Sequence, residues 1–156
     1  MTTAAYSSYL TSLAMSTPRL QGKKILIVDD DEDILSSIDL VMRAEGALTE
    51  TVTDGNAAMA AFDEADPDAV VLDMMLPRRS GFLVLEQLKK LAKPPVIVMI
   101  TANMGKRHMA YAEDLGVDAY LVKPVPLQRL VETVIQLLSG NGRGENGSLQ
   151  QQEKDS

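Results

Sequence analysis

The sequence predicts an α/β protein, a doubly wound parallel sheet of five strands with five helices in a single domain. Four short runs, 25–28, 69–72, 96–100 and 119–122, are apolar throughout. This pattern is typical of strands that are buried on both faces, as in parallel sheets. Between the runs lie segments with apolar residues at helical spacing, and helices supply the crossovers that parallel strands require. The alternation therefore predicts a sheet with helices on both faces.

The first two β–α units are predicted before residue 66. The strand 25–28 leads into a helix, and Gly46 provides its stop signal. A weaker alternating run, 47–52, predicts the second strand, and Asp54 can cap the helix that follows it. The apolar faces of the two helices consist of Ile34, Ile38, Val41 and Met42 in the first and Ala58, Ala61 and Phe62 in the second.

The last three units follow a turn at residues 66–68. The helix after strand 69–72 is expected to end before Pro94, and the helix after strand 96–100 to run over about 106–115, stopped by Gly116. The last helix is expected to begin at Pro126, a favourable first helical residue. The apolar stripes are Val84, Leu88 and Leu91 in the third helix and Leu127, Leu130, Val131, Val134 and Leu138 in the last.

Composition limits the classes of function. The chain has 156 residues, a net charge of −7 and no cysteine. The acidic balance argues against direct nucleic-acid binding, which favours a basic face. No apolar stretch approaches the ~20 residues that span a bilayer, and the N-terminus lacks the features of a secretory signal. These observations predict a soluble, cytoplasmic protein without a membrane contact.

The two ends differ from the predicted domain, which covers 23–139. Residues 140–156 are rich in glycine and polar residues, which predicts a disordered C-terminal tail. Residues 1–22 are interpreted as an N-terminal tail, although Tyr6, Tyr9, Leu10 and Leu13 could form a short apolar stripe. Met15 opens a stretch that could be the true start of the protein.

Polar side chains follow four of the five predicted strands. Asp29 and Asp30 follow the first strand, Asp73 the third, Thr101 the fourth and Lys123 the fifth. In doubly wound sheets the site lies at the carboxyl ends of the strands. We therefore expect three carboxylates, a hydroxyl and an ammonium group to meet at one edge of the sheet.

The negative charges of the acidic run at residues 29–33 repel one another and must be balanced by a cation or by water. Two negative charges ~4 Å apart repel by about 4 kcal/mol at an effective dielectric near 20, and such pairs raise a carboxyl pKa or recruit a metal. Magnesium prefers oxygen ligands and keeps several waters, so Asp30 is a predicted ligand. Asp31 and Asp33 are instead expected to cap the following helix or to face solvent.

Four segments contain the residues that follow the strands: ILIVDDDEDI at 25–34, VVLDMMLPRRSGF at 70–82, VIVMITA at 96–102 and DAYLVKP at 118–124. Together these segments resemble the receiver domain of two-component response regulators, in particular the stand-alone, chemotaxis-regulator-like members. Pro77 and Gly81 after Asp73, and Tyr120 three residues before Lys123, also agree with the pattern of the family. The resemblance covers residues 23–139 and implies a flavodoxin-like fold.

The resemblance also implies a role for each site residue. Asp73 would be the phosphoacceptor, and Asp30, Asp73 and the backbone carbonyl of Met75 would bind Mg²⁺, with Asp29 holding the metal through water. Lys123 would contact the phosphoryl group, and its peptide bond to Pro124 would be cis. Thr101 would hydrogen-bond the phosphoryl group and move towards it, and Tyr120 would turn in response.

The implied protein is a signalling switch and not an enzyme. Its partners would be a sensor histidine kinase or a histidine phosphotransfer protein and a downstream protein target that the sequence does not identify. Met75 and Asn103, at positions that tune the phosphate lifetime in the family, predict a long-lived phosphate because Met75 has no polar group to align water. The C-terminal tail is too short for an output domain, so the chain is expected to be a stand-alone receiver or a piece of a longer protein.

Three other classes of protein share parts of this pattern. A phosphohydrolase of the haloacid-dehalogenase type also places an aspartate after its first strand, but its DxDx motif continues with Thr or Val, where this chain has Asp33. An EF-hand counted from Asp29 would need glycine at Ile34 and glutamate at Leu40. A receiver-like module that binds proteins without phosphorylation usually lacks one of the acids, the threonine or the lysine, and all are present here.

Overall fold

The computed structural model describes residues 17–102 and 105–140. Within these ranges, five strands and five helices alternate along the chain. The elements are β1 (Lys24–Val28), α1 (Glu32–Ala44), β2 (Leu48–Val52), α2 (Gly55–Ala65), β3 (Ala69–Asp73), α3 (Gly81–Lys89), β4 (Val96–Thr101), α4 (Lys106–Asp114), β5 (Ala119–Val122) and α5 (Leu127–Leu138). All strands are parallel, in the order β2-β1-β3-β4-β5, which confirms the predicted fold class.

The sheet separates two apolar clusters, because successive side chains of a strand point to opposite faces. In β1, Ile25 and Ile27 pack in the cluster that also holds buried residues of α1 and α5. Leu26 and Val28 pack in the other cluster, with buried residues of α2, α3 and α4. Both faces are therefore covered, as the apolar runs predict.

The clarity of each strand's apolar pattern in the sequence depends on the position of that strand in the sheet. The central strands β3 and β4 are buried at every residue, and β1 is buried after its first residue. The edge strand β2 is partly or fully exposed at all five positions, which explains why its apolar pattern is weak. The other edge strand, β5, has one buried residue, Leu121.

Side chains from the preceding loops cap three helices. Asp31 accepts hydrogen bonds from the N–H groups of Asp33 and Ile34 at the start of α1. Asp54 accepts from Ala57 at the start of α2, and Ser80 caps α3. The predicted capping roles of Asp31 and Asp54 are confirmed.

Three details of the helices differ from the sequence prediction. The helix α3 ends at Lys89, so Leu91 lies beyond it and is partly exposed. In α5 the buried residue near the end is Leu137, while Leu127 is exposed. A basic pair such as Lys89–Lys90 usually lies on a solvated face, but Lys89 donates from its Nζ to Asp118 Oδ2 at 2.6 Å with little exposure of either side chain.

The described end of the N-terminal segment packs on the domain. Leu20, within the predicted tail 1–22, is only 1% exposed and lies in the cluster with α1 and α5. Arg19 forms ion pairs with Glu45, after α1, and with Glu132 of α5. Residues 19 and 20 are thus part of the folded unit, which begins before the predicted boundary at residue 23.

Some predictions lie outside the described residues. These are the apolar stripe between Tyr6 and Leu13, the start at Met15, the role of Asn103 and the tail after Gly140. Among the described helices, none has both the length and the apolar character that a membrane span requires.

Candidate functional site

The connections of the sheet create a crevice between β1 and β3. From the interior strand β1 the chain passes to β2 on one side and then to β3 on the other. Ligands bind at such a switch point, outside the carboxyl ends of the strands. Asp29 directly follows β1 and Asp73 ends β3, so the topology brings these two carboxylates to the crevice.

Lys123 lies between the two carboxylates. Its Nζ is 3.0 Å from Asp29 Oδ2 and 3.3 Å from Asp73 Oδ2. The Asp29 side chain is fully buried, that of Asp73 is nearly so, and that of Lys123 is 20% exposed. A buried carboxylate requires a partner, and here one ammonium group serves both.

Backbone N–H groups hold the second oxygen of each carboxylate. Asp31 N–H donates to Asp29 Oδ1 at 2.9 Å, and Met75 N–H donates to Asp73 Oδ1 at 3.2 Å. In each carboxylate, one oxygen therefore accepts a hydrogen bond from a backbone N–H, and the other contacts Lys123 Nζ. This arrangement fixes the orientation of Asp73 before any ligand binds.

The charges in the crevice shift the pKa values of two groups. Burial, together with the charge of Asp29, raises the pKa of Asp73 to about 6, although Lys123 and the Met75 N–H oppose the shift. Burial lowers the pKa of Lys123, but the adjacent Asp29 and Asp73 carboxylates outweigh it and the net pKa is raised. Lys123 therefore remains an ammonium group at neutral pH, and Asp73 is largely ionised.

The carboxylates also fit a divalent cation. Asp29, Asp30 and Asp73 each offer one oxygen, and the three oxygens lie within 4.8 Å of one another. Asp30 is exposed, unlike the other two, so the cluster opens to solvent on its side. Oxygen donors that leave room for water suit Mg²⁺. The negative charge of three carboxylates also exceeds the positive charge of one lysine, so a cation would balance the remainder.

Thr101 and Tyr120 meet beside the crevice. Thr101, at the end of β4, is buried, and its hydroxyl donates to Met74 Sδ at 3.7 Å. The Tyr120 hydroxyl donates to the same sulfur at 3.9 Å. Burial raises the pKa of Tyr120, and a hydrogen bond with the Thr101 side chain opposes this shift. The two residues predicted to act as a switch are thus in contact.

The structure brings the predicted site residues together. Asp29, Asp73 and Lys123 are in direct contact, and Asp30 lies beside them. The Lys123–Pro124 peptide bond is cis, as predicted. Met75 contacts Asp73 through its backbone N–H, and the residue is 66% exposed.

Met74 is a contact that the sequence did not indicate. It is buried, and its sulfur lies next to both hydroxyl groups of the predicted switch. In the sequence it is one of nine methionines, and methionine commonly fills core gaps. Only its position directly after Asp73 distinguishes it.

Comparisons with known proteins agree with this geometry. The family model of the response regulator receiver domain matches residues 25–135. The sensory transduction protein RegX3 of Mycobacterium tuberculosis is 38% identical over 118 residues, which cover 76% of this chain and 52% of RegX3. The DNA-binding response regulator MtrA of Mycobacterium leprae is 36% identical over 119 residues, which cover 76% of this chain and 52% of MtrA.

A solved structure gives the same fold. The response regulator receiver domain protein (CheY-like) of Methanospirillum hungatei superimposes with a TM-score of 0.73 at 29% identity, covering 77% of this chain and 96% of that one. The chain spans about half the length of the curated relatives it matches. The family match, the relatives and the acidic crevice agree, and the chain belongs to the response regulator receiver domain family.

Proposed function

We propose that this chain is the phosphoacceptor switch of a two-component phosphorelay, with Asp73 as the residue that is phosphorylated. The observation that carries the proposal is the position of Asp73 between Lys123 and the Met75 N–H, in an acidic crevice at the switch point of the sheet. Response regulators are signalling proteins, so the chain is not proposed to be an enzyme. Slow loss of its own phosphate would reset it.

Asp73 would act as the nucleophile. One carboxylate oxygen forms a bond to phosphorus while the bond from phosphorus to the donor imidazole breaks, which gives an aspartyl phosphate and a free histidine. In such in-line transfers the protein contributes positioning and charge stabilisation. The Met75 N–H orients Asp73, and Lys123 supplies positive charge at Asp73 Oδ2.

Magnesium is the proposed cofactor. Asp30, Asp73 and the backbone carbonyl of Met75 would hold it directly, and Asp29 would hold it through water. When bound, Mg²⁺ neutralises negative charge on the phosphoryl oxygens. The cluster of three carboxylate oxygens supports this assignment.

Phosphorylation would be transmitted by Thr101 and Tyr120. New phosphoryl oxygens on Asp73 would attract the Thr101 hydroxyl away from Met74 Sδ. Tyr120, which shares that sulfur and contacts Thr101, would then adjust its side chain and change the surface formed by α4, β5 and α5. Ring NMR signals of Tyr120 should shift when a phosphoryl analogue binds, and unchanged signals would contradict this switch.

The phosphate is proposed to be long-lived because the Met75 side chain carries no group that could align a water molecule. Its large exposure keeps it free of the core. Replacing Met75 with asparagine should shorten the lifetime, measured by the decay of phosphorylated protein on intact mass spectra. Loss of the wild-type phosphate within seconds would contradict the proposal.

The proposed donor is a sensor histidine kinase or a histidine phosphotransfer protein, and the output is a change in protein contacts. MtrA is a DNA-binding response regulator, but the similarity covers about half of its length. The expectation of no direct nucleic-acid contact therefore concerns only these 156 residues, whose net charge is −7.

Incubation with a small-molecule phosphodonor, with and without Mg²⁺, tests this function. We expect a stoichiometric gain of one phosphoryl group on intact mass spectra that depends on Mg²⁺. Continuous donor turnover would indicate a phosphohydrolase, and no gain at all would indicate a binding module that does not use phosphate.

A further inference from the structure

The start of α2 packs directly on the loop that follows Asp73. Gly55 is the first residue of α2 and is buried. Its N–H donates to the carbonyl of Pro77 at 3.3 Å, in the loop between β3 and α3. Asp54 fixes this end of the helix by accepting a hydrogen bond from Ala57 N–H at 2.8 Å.

Gly55 leaves no space for a side chain. A Cβ at this position would lie 2.0 Å from the carbonyl oxygen of Arg79 and 2.6 Å from the Arg79 Cβ. The nearest atom belongs to the backbone, so rotation of a side chain cannot relieve the contact. Gly55 is not among the residues with positive φ. Glycine is therefore required here by proximity and not by backbone conformation.

The same loop carries the backbone groups next to Asp73. Met75 N–H donates to Asp73 Oδ1, and Gly81, at the far end of the loop, donates its N–H to the Met74 carbonyl at 3.0 Å. A Cβ on Gly81 would lie 2.2 Å from the Asp73 carbonyl oxygen. The loop of residues 74–80 is thus held by close backbone contact at both α2 and α3.

We propose that Gly55 is a positioning residue for the chemistry at Asp73, because its contact with the backbone of Pro77 and Arg79 holds the loop that places Met75. This inference rests on the proposed function and extends it to a residue of another helix. Gly55 does not touch the reacting atoms and acts only through the loop.

The size of the effect follows from the contact. A Cβ on Gly55 must move from 2.0 Å to at least 3.0 Å from the Arg79 oxygen to reach the range of real contacts. The loop or the helix must therefore shift by about 1 Å, and a misplacement of this size can cost about 100-fold in rate. We expect Gly55→Ala to slow phosphorylation of Asp73 by about 10- to 100-fold.

The experiment uses the full chain and two readouts. The first is the rate of phosphorylation by a small phosphodonor with Mg²⁺, followed by intact mass. The second does not depend on activity. It is the NMR signal of the Met75 backbone amide, which is compared between wild type and Gly55→Ala in metal-free protein and is then followed during a Mg²⁺ titration. Gly55→Ala should displace this signal before metal is added and weaken Mg²⁺ binding.

A matched control separates positioning from stability. Leu137 is a buried residue of α5, and it packs in the apolar cluster on the opposite face of the sheet from α2. Leu137→Ala should lower stability while leaving the Met75 signal, the Mg²⁺ affinity and the labelling rate within about twofold of wild type. Equal losses in both variants at equal melting temperature would overturn the inference.

A second pair of variants applies if Gly55→Ala does not fold. Asp54→Ala removes the helix cap and loosens the start of α2 without a clash, whereas Asp54→Asn retains an oxygen that can accept from Ala57 N–H. We expect Asp54→Ala to weaken Mg²⁺ binding and Asp54→Asn to restore it. Identical Mg²⁺ affinities in these two variants would overturn the inference.

The result for wild-type protein keeps this inference apart from the proposed function. Wild-type protein that gains no phosphoryl group contradicts the function itself. Wild-type protein that is labelled while Gly55→Ala behaves identically contradicts only the role of Gly55.

Discussion

Replacing Lys123 with methionine removes the one ammonium group that Asp29 and Asp73 share. At 3.0 and 3.3 Å, each pair has an attraction of about 5 kcal/mol at an effective dielectric near 20, and much of this is offset by desolvation. Removing one partner of a buried ion pair typically costs about 3–5 kcal/mol.

Two features of the structure reduce the expected cost. Lys123 is one-fifth exposed, and the pKa of Asp73 is already about 6. A carboxyl group can take up a proton at about 1.4 kcal/mol for each unit between its pKa and the solution pH. We therefore expect Lys123→Met to lower the free energy of unfolding by about 2–3 kcal/mol at pH 7.

Urea unfolding followed by circular dichroism, in a chelator and again in Mg²⁺, measures this effect. Lys90 is the control, because its side chain is 73% exposed and Lys90→Met should change stability little. Mg²⁺ should stabilise Lys123→Met more than wild type, since the cation compensates charges that the lysine no longer balances. The reasoning is refuted if Lys123→Met in chelator is no less stable than Lys90→Met.

Three further predictions concern other contacts. Leu20→Ala should lower the free energy of unfolding by about 2–5 kcal/mol in urea, and a loss no larger than that of an exposed leucine would contradict its burial. The hydrogen bond from Arg19 holds the pKa of Glu45 below its usual value of 4.5. The stabilisation that this ion pair gives the folded state is therefore fully present above pH 4.5, and it is lost as the pH falls through the lowered pKa of Glu45. Arg19→Gln should therefore cost up to about 1 kcal/mol at pH 6 and less in acid, and a pH-independent difference in melting temperature would argue against the pair. Thr101→Val should raise the pKa of Tyr120 further, because it removes the opposing hydrogen bond, and an unchanged pKa in an NMR titration of the ring would contradict that contact.

The fold was predictable because its signals are local. The central strands are buried on both faces and appear in the sequence as continuous apolar runs, and aspartates at the turns cap α1 and α2. The topology then determines which residues follow the strands. The meeting of Asp29, Asp73 and Lys123 could therefore be expected before the structure was known.

The remaining contacts depend on packing between distant segments. Lys89 and Asp118 are 29 residues apart, and no local pattern distinguishes Lys89 from the exposed Lys90. Leu20 precedes the first strand without a periodic partner, so its burial against α1 and α5 could not be inferred. The contact of Gly55 with Arg79 likewise becomes visible only when α2 lies against the loop after β3.

Labelling of an Asp73→Asn variant tests the central claim most directly. The variant is incubated with a phosphodonor and Mg²⁺ beside wild-type protein and an Asp33→Asn control, which alters an exposed carboxylate of the same acidic run. Intact mass spectra should show one added phosphoryl group in wild type and in Asp33→Asn, and none in Asp73→Asn. Undiminished labelling of Asp73→Asn would contradict the account.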